Sequence, residues 1–123
     1  MASDPLSGAG EPVELVKGQV VTVFRSRLRP GAADVYGPLA AELLDRARRA
    51  PGFVDAATFT ADDGERVTVV TFASEETHRG WRDDPVHRRA QELGRQELYA
   101  EFSIQVSTCT AVRRWSQAGG PAT

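Results

Sequence analysis

Residues 53–72 read FVDAATFTADDGERVTVVTF, two runs of strand-forming residues around a turn. The runs are rich in β-branched and aromatic side chains, and the Asp63-Gly64 dipeptide between them is a strong signal for a β-hairpin. The hairpin lies near the middle of the chain, so the segments on either side of it determine the fold class.

The half before the hairpin contains one extended and one helical segment. Residues 19–31 alternate with a period of two, and one face of the predicted strand carries Val20, Thr22, Phe24, Ser26 and Leu28. Residues 32–50 have apolar residues at helical spacing, with a predicted inward set of Val35, Tyr36, Leu39, Ala40, Leu43, Leu44 and Ala47. Pro38 is compatible only with the first turns of that helix, and Pro51-Gly52 ends it.

The half after the hairpin repeats this pattern, with a helix followed by a strand. Ser74 suits an N-cap, and the helix that it opens runs to about Trp81. Asp84-Pro85 then starts a second helical piece, whose predicted inward residues are Val86, Ala90 and Leu93. Residues 101–115 alternate again, and one face carries Phe102, Ile104, Val106, Thr108, Thr110 and Val112.

The predicted element order is therefore β-α-β-β-α-β, the ferredoxin-like α+β unit with an antiparallel sheet and both helices on one face. We expect this domain to span residues 17–116, with flexible tails at residues 1–16 and 117–123. No element covers the second face of the sheet, and an open face on so small a domain predicts a homodimer.

Composition and charge exclude several functional classes. The net charge of −2 gives no general attraction to nucleic acid, and no apolar run is long enough for a membrane helix or a secretory signal, so we expect a cytoplasmic protein. Arg25 and Arg27 are interpreted as part of a strand edge. Cys109 is the single cysteine and the sequence has only two histidines, His78 and His87, so it predicts no metal site.

One tract is specific enough to indicate a family. It reads W-x-x-x-P-x-H-x-x-A-Q-x-x-G-R, which stands here as Trp81, Pro85, His87, Ala90, Gln91, Gly94 and Arg95. Together with RLRPG, ARRAPGFV, the hairpin and YAEFSIQV, it resembles the antibiotic biosynthesis monooxygenase (ABM) superfamily from about Val20 to Trp115. The resemblance implies a dimeric α+β barrel, with a pocket between helices and sheet in each subunit.

The resemblance also implies candidate chemistry. One branch oxidises aromatic polyketides with molecular oxygen and with neither metal nor flavin. The resemblance suggests that this branch carries a tryptophan and a tyrosine near this spacing. Trp81 matches the tryptophan, and His87 stands at the position of the tyrosine, where it can still transfer a proton. We therefore expect His87 and Trp81 to be catalytic. The substrate-binding candidates are Phe24, Tyr36, Phe72 and Gln91, because cofactor-free oxygenation needs a dry aromatic box and a base or hydrogen-bond donor.

Simpler interpretations stand beside these assignments. Trp81 can serve as plain core packing, His87 can hydrogen-bond back toward Asp84, and Gln91 can face solvent. His78 is predicted to be exposed, and Tyr99 to be a structural cap at the turn between helix and strand. The polar row of the last strand lines either the pocket or the dimer, and consists of Ser103, Gln105, Ser107 and Cys109.

The haem-degrading branch of the superfamily is disfavoured. That branch carries an iron-binding histidine ten residues after its tryptophan, and Gln91 stands there in this chain. It also carries an asparagine before an arginine in the first strand, where Phe24 precedes Arg25. The leading hypothesis is a cofactor-independent oxygenase in secondary metabolism. A polyketide cyclase-like enzyme and a non-catalytic ligand-binding dimer are the alternatives.

Overall fold

A four-stranded antiparallel sheet forms the centre of the molecule, as the sequence predicts. The computed structural model describes residues 13–117 and the backbone of residues 120–122. The strands are β1 (Val20–Leu28), β2 (Phe53–Thr60), β3 (Arg66–Phe72) and β4 (Tyr99–Thr108), in the spatial order β2-β3-β1-β4. The helices between them complete a ferredoxin-like α+β unit.

The predicted hairpin turn is confirmed between β2 and β3. The Ala61 N–H donates to the Glu65 carbonyl at 2.8 Å, closing a loop in which the Gly64 N–H donates to the Ala61 carbonyl at 2.9 Å. Gly64 has a φ of 93°, a conformation that residues with a Cβ rarely adopt. A three-residue loop ending in such a glycine is a common hairpin connection.

Three helices connect the strands, and two of them begin at the predicted caps Ser74 and Asp84. They are α1 (Ala33–Arg48), α2 (Glu75–Arg82) and α3 (Pro85–Leu93). The Ser74 hydroxyl accepts the Thr77 N–H at 3.2 Å, and the Ser74 N–H donates to the Thr77 hydroxyl at 3.2 Å, which forms a capping box. A π-helical turn, Gly94–Leu98, leads from α3 into β4 and was not predicted.

Two predicted inward residues point outward. Val35 is 56% exposed and Leu93 is 40% exposed, whereas Tyr36 and Ala47 are buried. Successive residues lie about 100° apart around a helix, so a face centred on Tyr36 and Ala47 leaves Val35 to one side. Leu93 ends α3, and beyond it the π-helical turn buries Leu98 instead.

The helices cover β3 and β1 but leave β4 open. In the row Val70–Thr22–Val106, which runs across these three strands, the exposed fractions are 5%, 6% and 52%. Phe102 and Ile104, on the same side of β4, are 38% and 45% exposed. The alternation predicted for the last strand is correct up to Thr108, but its apolar face lies at an open sheet edge.

The arginines of β1 do not lie on a strand edge, because β1 pairs with both β3 and β4. They lie on the sheet face opposite the helices and form ion pairs. Arg25 binds Glu65 at 2.9 Å, and Arg27 binds both Asp63, at 2.8 Å, and Glu101, at 3.0 Å. This face also carries half-buried Val21, Val23, Val67 and Val69.

The C-terminal segment differs from the expected tail. β5 (Arg114–Ser116) pairs with β6 (Gly120–Ala122), whereas residues 117–123 were predicted to be a flexible tail. Most of the predicted N-terminal tail, residues 1–12, lies outside the described residues. Within the described part of the chain, no helix has the length and apolar character that a membrane crossing requires.

Candidate active site

Trp81 lies between a buried ring and an imidazole. Its indole stacks on Phe72, with ring centroids 5.1 Å apart and 23° between the planes. The centroid of the His87 ring is 4.4 Å from that of Trp81, at 42°. Phe72 is fully buried, whereas Trp81 and His87 are half-buried. An indole held in this way presents a fixed aromatic surface.

The break between α2 and α3 brings Trp81 and His87 together. On one straight helix, six residues would place the two side chains about 120° apart around the axis. Asp84 instead caps a new helix, where its carboxylate accepts the N–H groups of Val86 at 2.8 Å and His87 at 3.2 Å. The expected hydrogen bond from His87 back to Asp84 is therefore made by the His87 backbone N–H, and the His87 imidazole packs against Trp81.

His78 corrects the prediction of an exposed side chain. It is only 5% exposed, and its Nε2 lies 3.2 Å from the Thr22 hydroxyl on β1. His78 precedes Trp81 by three residues, so both side chains lie on the same face of α2, and their ring centroids are 5.9 Å apart. The i, i+3 spacing of His78 and Trp81 is the sequence signal that could have predicted the burial of His78. The sequence analysis placed Thr22 on one face of β1 but did not predict its contact with His78.

Burial lowers the pKa of both histidines below the ordinary value. For His78, the nearby charges of Arg82 and Arg79 lower the pKa further, against the opposing effects of Glu75 and Asp83. For His87, burial outweighs the opposing effect of Asp84. The His87 Nδ1 is buried and has no hydrogen-bond partner among the described residues. A neutral imidazole with a free ring nitrogen can accept or donate a proton.

A cleft of about 740 Å³ opens beside this pair, between the C-terminal part of α1 and the α2–α3 break. Trp81 and His87 line it together with Arg46 and Asp84, whose ion pair measures 3.2 Å. None of the described strand residues lines this cleft, so it differs from the pocket between helices and sheet that the resemblance implied. Its walls combine a flat indole, an imidazole and charged groups, which suits a planar ligand with polar substituents.

A second aromatic cluster lies at the other end of the sheet. Tyr99 packs against Tyr36, Phe24 and Phe102, with ring centroids 5.8, 5.3 and 5.6 Å away. Burial and the neighbouring Tyr36 raise the pKa of Tyr99. The Tyr99 ring also lies against Gly94, where an added Cβ would come within 2.5 Å of it. This packing agrees with a structural role for Tyr99 at the turn into β4.

The predicted site residues therefore do not form one site in the structure. It brings Trp81, His87 and Phe72 together, although Phe72 has no exposed surface. Phe24 and Tyr36 belong to the second cluster, and half-buried Gln91 does not line the cleft. The roles proposed for these residues in binding substrate remain predictions.

The family assignment rests on the amino-acid sequence as well as the fold. Residues 19–93 match the family model described as antibiotic biosynthesis monooxygenase. The chain belongs to the ABM family. The matched region contains Trp81, His87 and the whole α2–α3 break.

The relatives and solved structures that are similar to this ABM chain all have low sequence identity to it. An uncharacterized Bacillus subtilis protein, YqjZ, is 29% identical over 72 residues, which cover 58% of this chain and 63% of that protein. Rv0793 from Mycobacterium tuberculosis has a TM-score of 0.69 at 18% identity, covering 77% of this chain and 98% of that one. SnoaB from Streptomyces nogalater, a cofactor-independent oxygenase, has a TM-score of 0.66 at 18% identity, covering 77% and 96%.

The polar row of β4 does not reach the cleft of this ABM domain. Ser103, Gln105 and Ser107 pair with Arg25, Val23 and Val21, which places them on the sheet face without helices. Cys109 follows the end of β4, and its thiol donates to the Ala111 carbonyl at 3.3 Å. The row therefore does not line this cleft, and its place in a dimer interface stays a prediction.

Proposed function

We propose that this ABM protein is a cofactor-independent oxygenase that acts, as a homodimer, on an aromatic, polyketide-type small molecule. The observation that carries the proposal is the Trp81–His87 pair on the wall of the cleft, where the buried His87 Nδ1 has no hydrogen-bond partner in the described part of the chain. SnoaB, which shares the fold, is a cofactor-independent oxygenase. The likeness to SnoaB shows the fold alone, so the residues of this chain carry the chemistry.

The proposed reaction begins with proton transfer to His87. Its lowered pKa keeps the imidazole neutral at pH 7, so the ring can accept a proton from an acidic phenol or an anthrone-type methylene. Trp81 stacks on the planar rings and holds the acidic group beside the imidazole. Deprotonation makes the substrate electron-rich, which is the condition for reaction with oxygen in the absence of a cofactor.

Electrons then pass from the substrate to molecular oxygen. The carbanion transfers one electron to oxygen, and the resulting radical pair combines into a carbon–oxygen bond, giving a peroxide on the substrate. The protonated His87 returns its proton to the peroxide. The remaining C–H bond of the former methylene then breaks, its electron pair forms the carbonyl as the oxygen–oxygen bond breaks, and the departing hydroxide takes up the released proton and leaves as water. The net change converts a methylene and one oxygen molecule into a carbonyl and one water, so the proposal assigns no metal and no cofactor to the reaction.

Oxygen consumption with a hydroxylated anthrone tests this function. We expect chelator-treated protein to consume oxygen and form quinone faster than the spontaneous reaction, with His87→Ala reducing the enzymatic rate by about 100-fold or more. Trp81→Phe should lower the rate less, because a smaller ring still stacks. Trp115→Phe is the matched control, since Trp115 is 71% exposed and does not line the cleft.

Equal rates in the wild-type protein, Trp81→Phe and His87→Ala would contradict the assignment of these residues. The same neutral imidazole would also serve a cyclase-like enzyme, which needs proton transfer but no oxygen. Turnover under nitrogen that still depends on His87 would establish that alternative. Saturable binding of the anthrone without any product would instead indicate a ligand-binding dimer.

A further inference from the structure

One arginine stands apart from the other partly buried arginines. Arg27, Arg46 and Arg66 are half-buried. Arg27 and Arg46 form ion pairs with carboxylates, whereas Arg66 forms none within the described part of the chain. Its Nε is buried and has no hydrogen-bond partner among these residues. Arg66 therefore holds a positive charge partly inside the protein without an ion-paired carboxylate among the described residues.

Ser26 supplies a second unpartnered group beside Arg66. Ser26 on β1 and Arg66 on β3 are direct partners in the sheet register, so both side chains lie on the helix side of the sheet. Ser26 is only 2% exposed, and its buried hydroxyl also lacks a hydrogen-bond partner among the described residues. Two neighbouring donors without acceptors indicate a position suited to an anionic oxygen.

The surroundings of this pair favour an aromatic ligand. The Arg66 guanidinium lies 5.2 Å from the centre of the Tyr36 ring, an arrangement that orients its planar fork. On the other side of Ser26, the next residue in the row is Phe102 of β4, which is 38% exposed. Ile104 continues the same apolar strip at 45% exposure. A ligand can approach across this open edge of the sheet.

We propose that Arg66 and Ser26 bind the carboxylate of an aromatic carboxylic acid whose rings lie over Phe102 and Ile104. A planar carboxylate matches the guanidinium fork, and a single arginine with one hydroxyl fits a monoanion better than a doubly charged phosphate. This site is distinct from the cleft at Trp81. Ser26 lies six residues along β1 from Val20, the partner of Phe72, which corresponds to roughly 20 Å.

A pair of matched probes tests the site without any turnover. We expect the wild-type protein to bind 2-naphthoate at least about tenfold more tightly than the neutral 2-naphthamide, measured by calorimetry at low salt. Arg66→Gln should bring the ratio of the two dissociation constants close to one. Ser26→Ala should lower the ratio severalfold while leaving the charge in place.

Arg25→Gln is the matched control. Arg25 is next to Ser26 in β1, but its side chain lies on the opposite sheet face and forms an ion pair with Glu65. We expect it to leave the ratio unchanged. Equal binding of the two probes by the wild-type protein, including no binding of either, would overturn the proposal, and so would a ratio that survives Arg66→Gln. The wild-type and Ser26→Ala measurements decide the question if Arg66→Gln fails to fold.

The result is independent of the oxygenase proposal. A preference for 2-naphthoate that depends on Arg66 would establish the carboxylate site even if no oxygen were consumed with the anthrone. Oxygen consumption that depends on His87, with equal binding of the two probes, would support the oxygenase and reject the carboxylate site.

Discussion

At the scale of single residues, the two histidines beside Trp81 link stability to pH. Both imidazoles are removed from water, and burial lowers the pKa of each. In the unfolded chain their pKa returns to about 6.5, so the unfolded state binds protons more readily as the pH falls below that value. Their contribution to stability is present above pH 6.5 and is lost as the pH falls toward the native pKa values.

We therefore expect the urea midpoint of unfolding to decrease between pH 7.5 and pH 5.5. The decrease should be smaller in His78→Gln, which keeps a hydrogen-bonding side chain near Thr22 but cannot be protonated. The same measurement on His87→Gln gives the contribution of the second imidazole to the pH dependence of the unfolding midpoint. The carboxylates with lowered pKa, such as Asp84, lose their contribution only nearer their unfolded pKa of about 4. An identical pH dependence in wild type and both variants would contradict the assignment.

At the scale of elements, the capping box of α2 sets the position of the aromatic cluster. Ser74 and Thr77 fix where the helix begins, and this start determines that His78 and Trp81 face the sheet. Neither residue belongs to a long apolar stripe, because the helix sequence EETHRGWR is otherwise mostly charged and polar. The orientation of α2 therefore depends on its cap and on these two side chains.

Ser74→Ala should lower the free energy of unfolding by about 1 kcal/mol, because it removes the acceptor for the Thr77 N–H. Ser74→Asp keeps an acceptor at the N-cap and should retain most of the stability. Thr110→Ala is the control, because it removes a hydroxyl at an exposed position beyond the end of β4. Urea unfolding measured by circular dichroism gives all three values, and equal stability of Ser74→Ala and Thr110→Ala would contradict the capping role.

At the scale of the whole molecule, the sheet face without helices supports the proposed homodimer. Val23 and Val69 form its centre, and the ion pairs of Arg25 and Arg27 lie farther along the same face. A half-apolar sheet surface that its own helices do not cover is suited to packing against a second copy. The open strip on β4 lies on the other face, so dimerisation through the valines would not by itself cover Phe102.

Light scattering should return a mass near twice 13.3 kDa for the wild-type protein. Val69→Lys places a charge at the centre of the proposed interface and should shift the mass to that of a monomer at low micromolar concentration. Val35→Lys is the matched control, since Val35 is 56% exposed on α1 and lies away from the sheet face. A dimer that persists in Val69→Lys, or one lost equally in Val35→Lys, would show that another surface pairs the subunits.

Local sequence patterns were sufficient for the element order, the hairpin turn and the helix starts. Each of these features depends on interactions within a few residues, so the local sequence specifies it: the Asp63-Gly64 turn, the Ser74 cap and the new helix start at Asp84-Pro85. The resemblance to the ABM superfamily placed Trp81 and His87 among the site candidates, but no local pattern could show that their rings meet. That contact depends on the angle between α2 and α3.

Contacts between distant segments were decided by the tertiary structure. His78 is buried because α2 packs on β1 at Thr22, 56 residues away in the chain. Arg66 lies beside Ser26 because β3 pairs with β1 in one register, and the apolar face of β4 stays open because the helices cover only its neighbours. Alternation specifies which residues share a face, but the burial of that face depends on strand order and helix placement, which no local pattern contains.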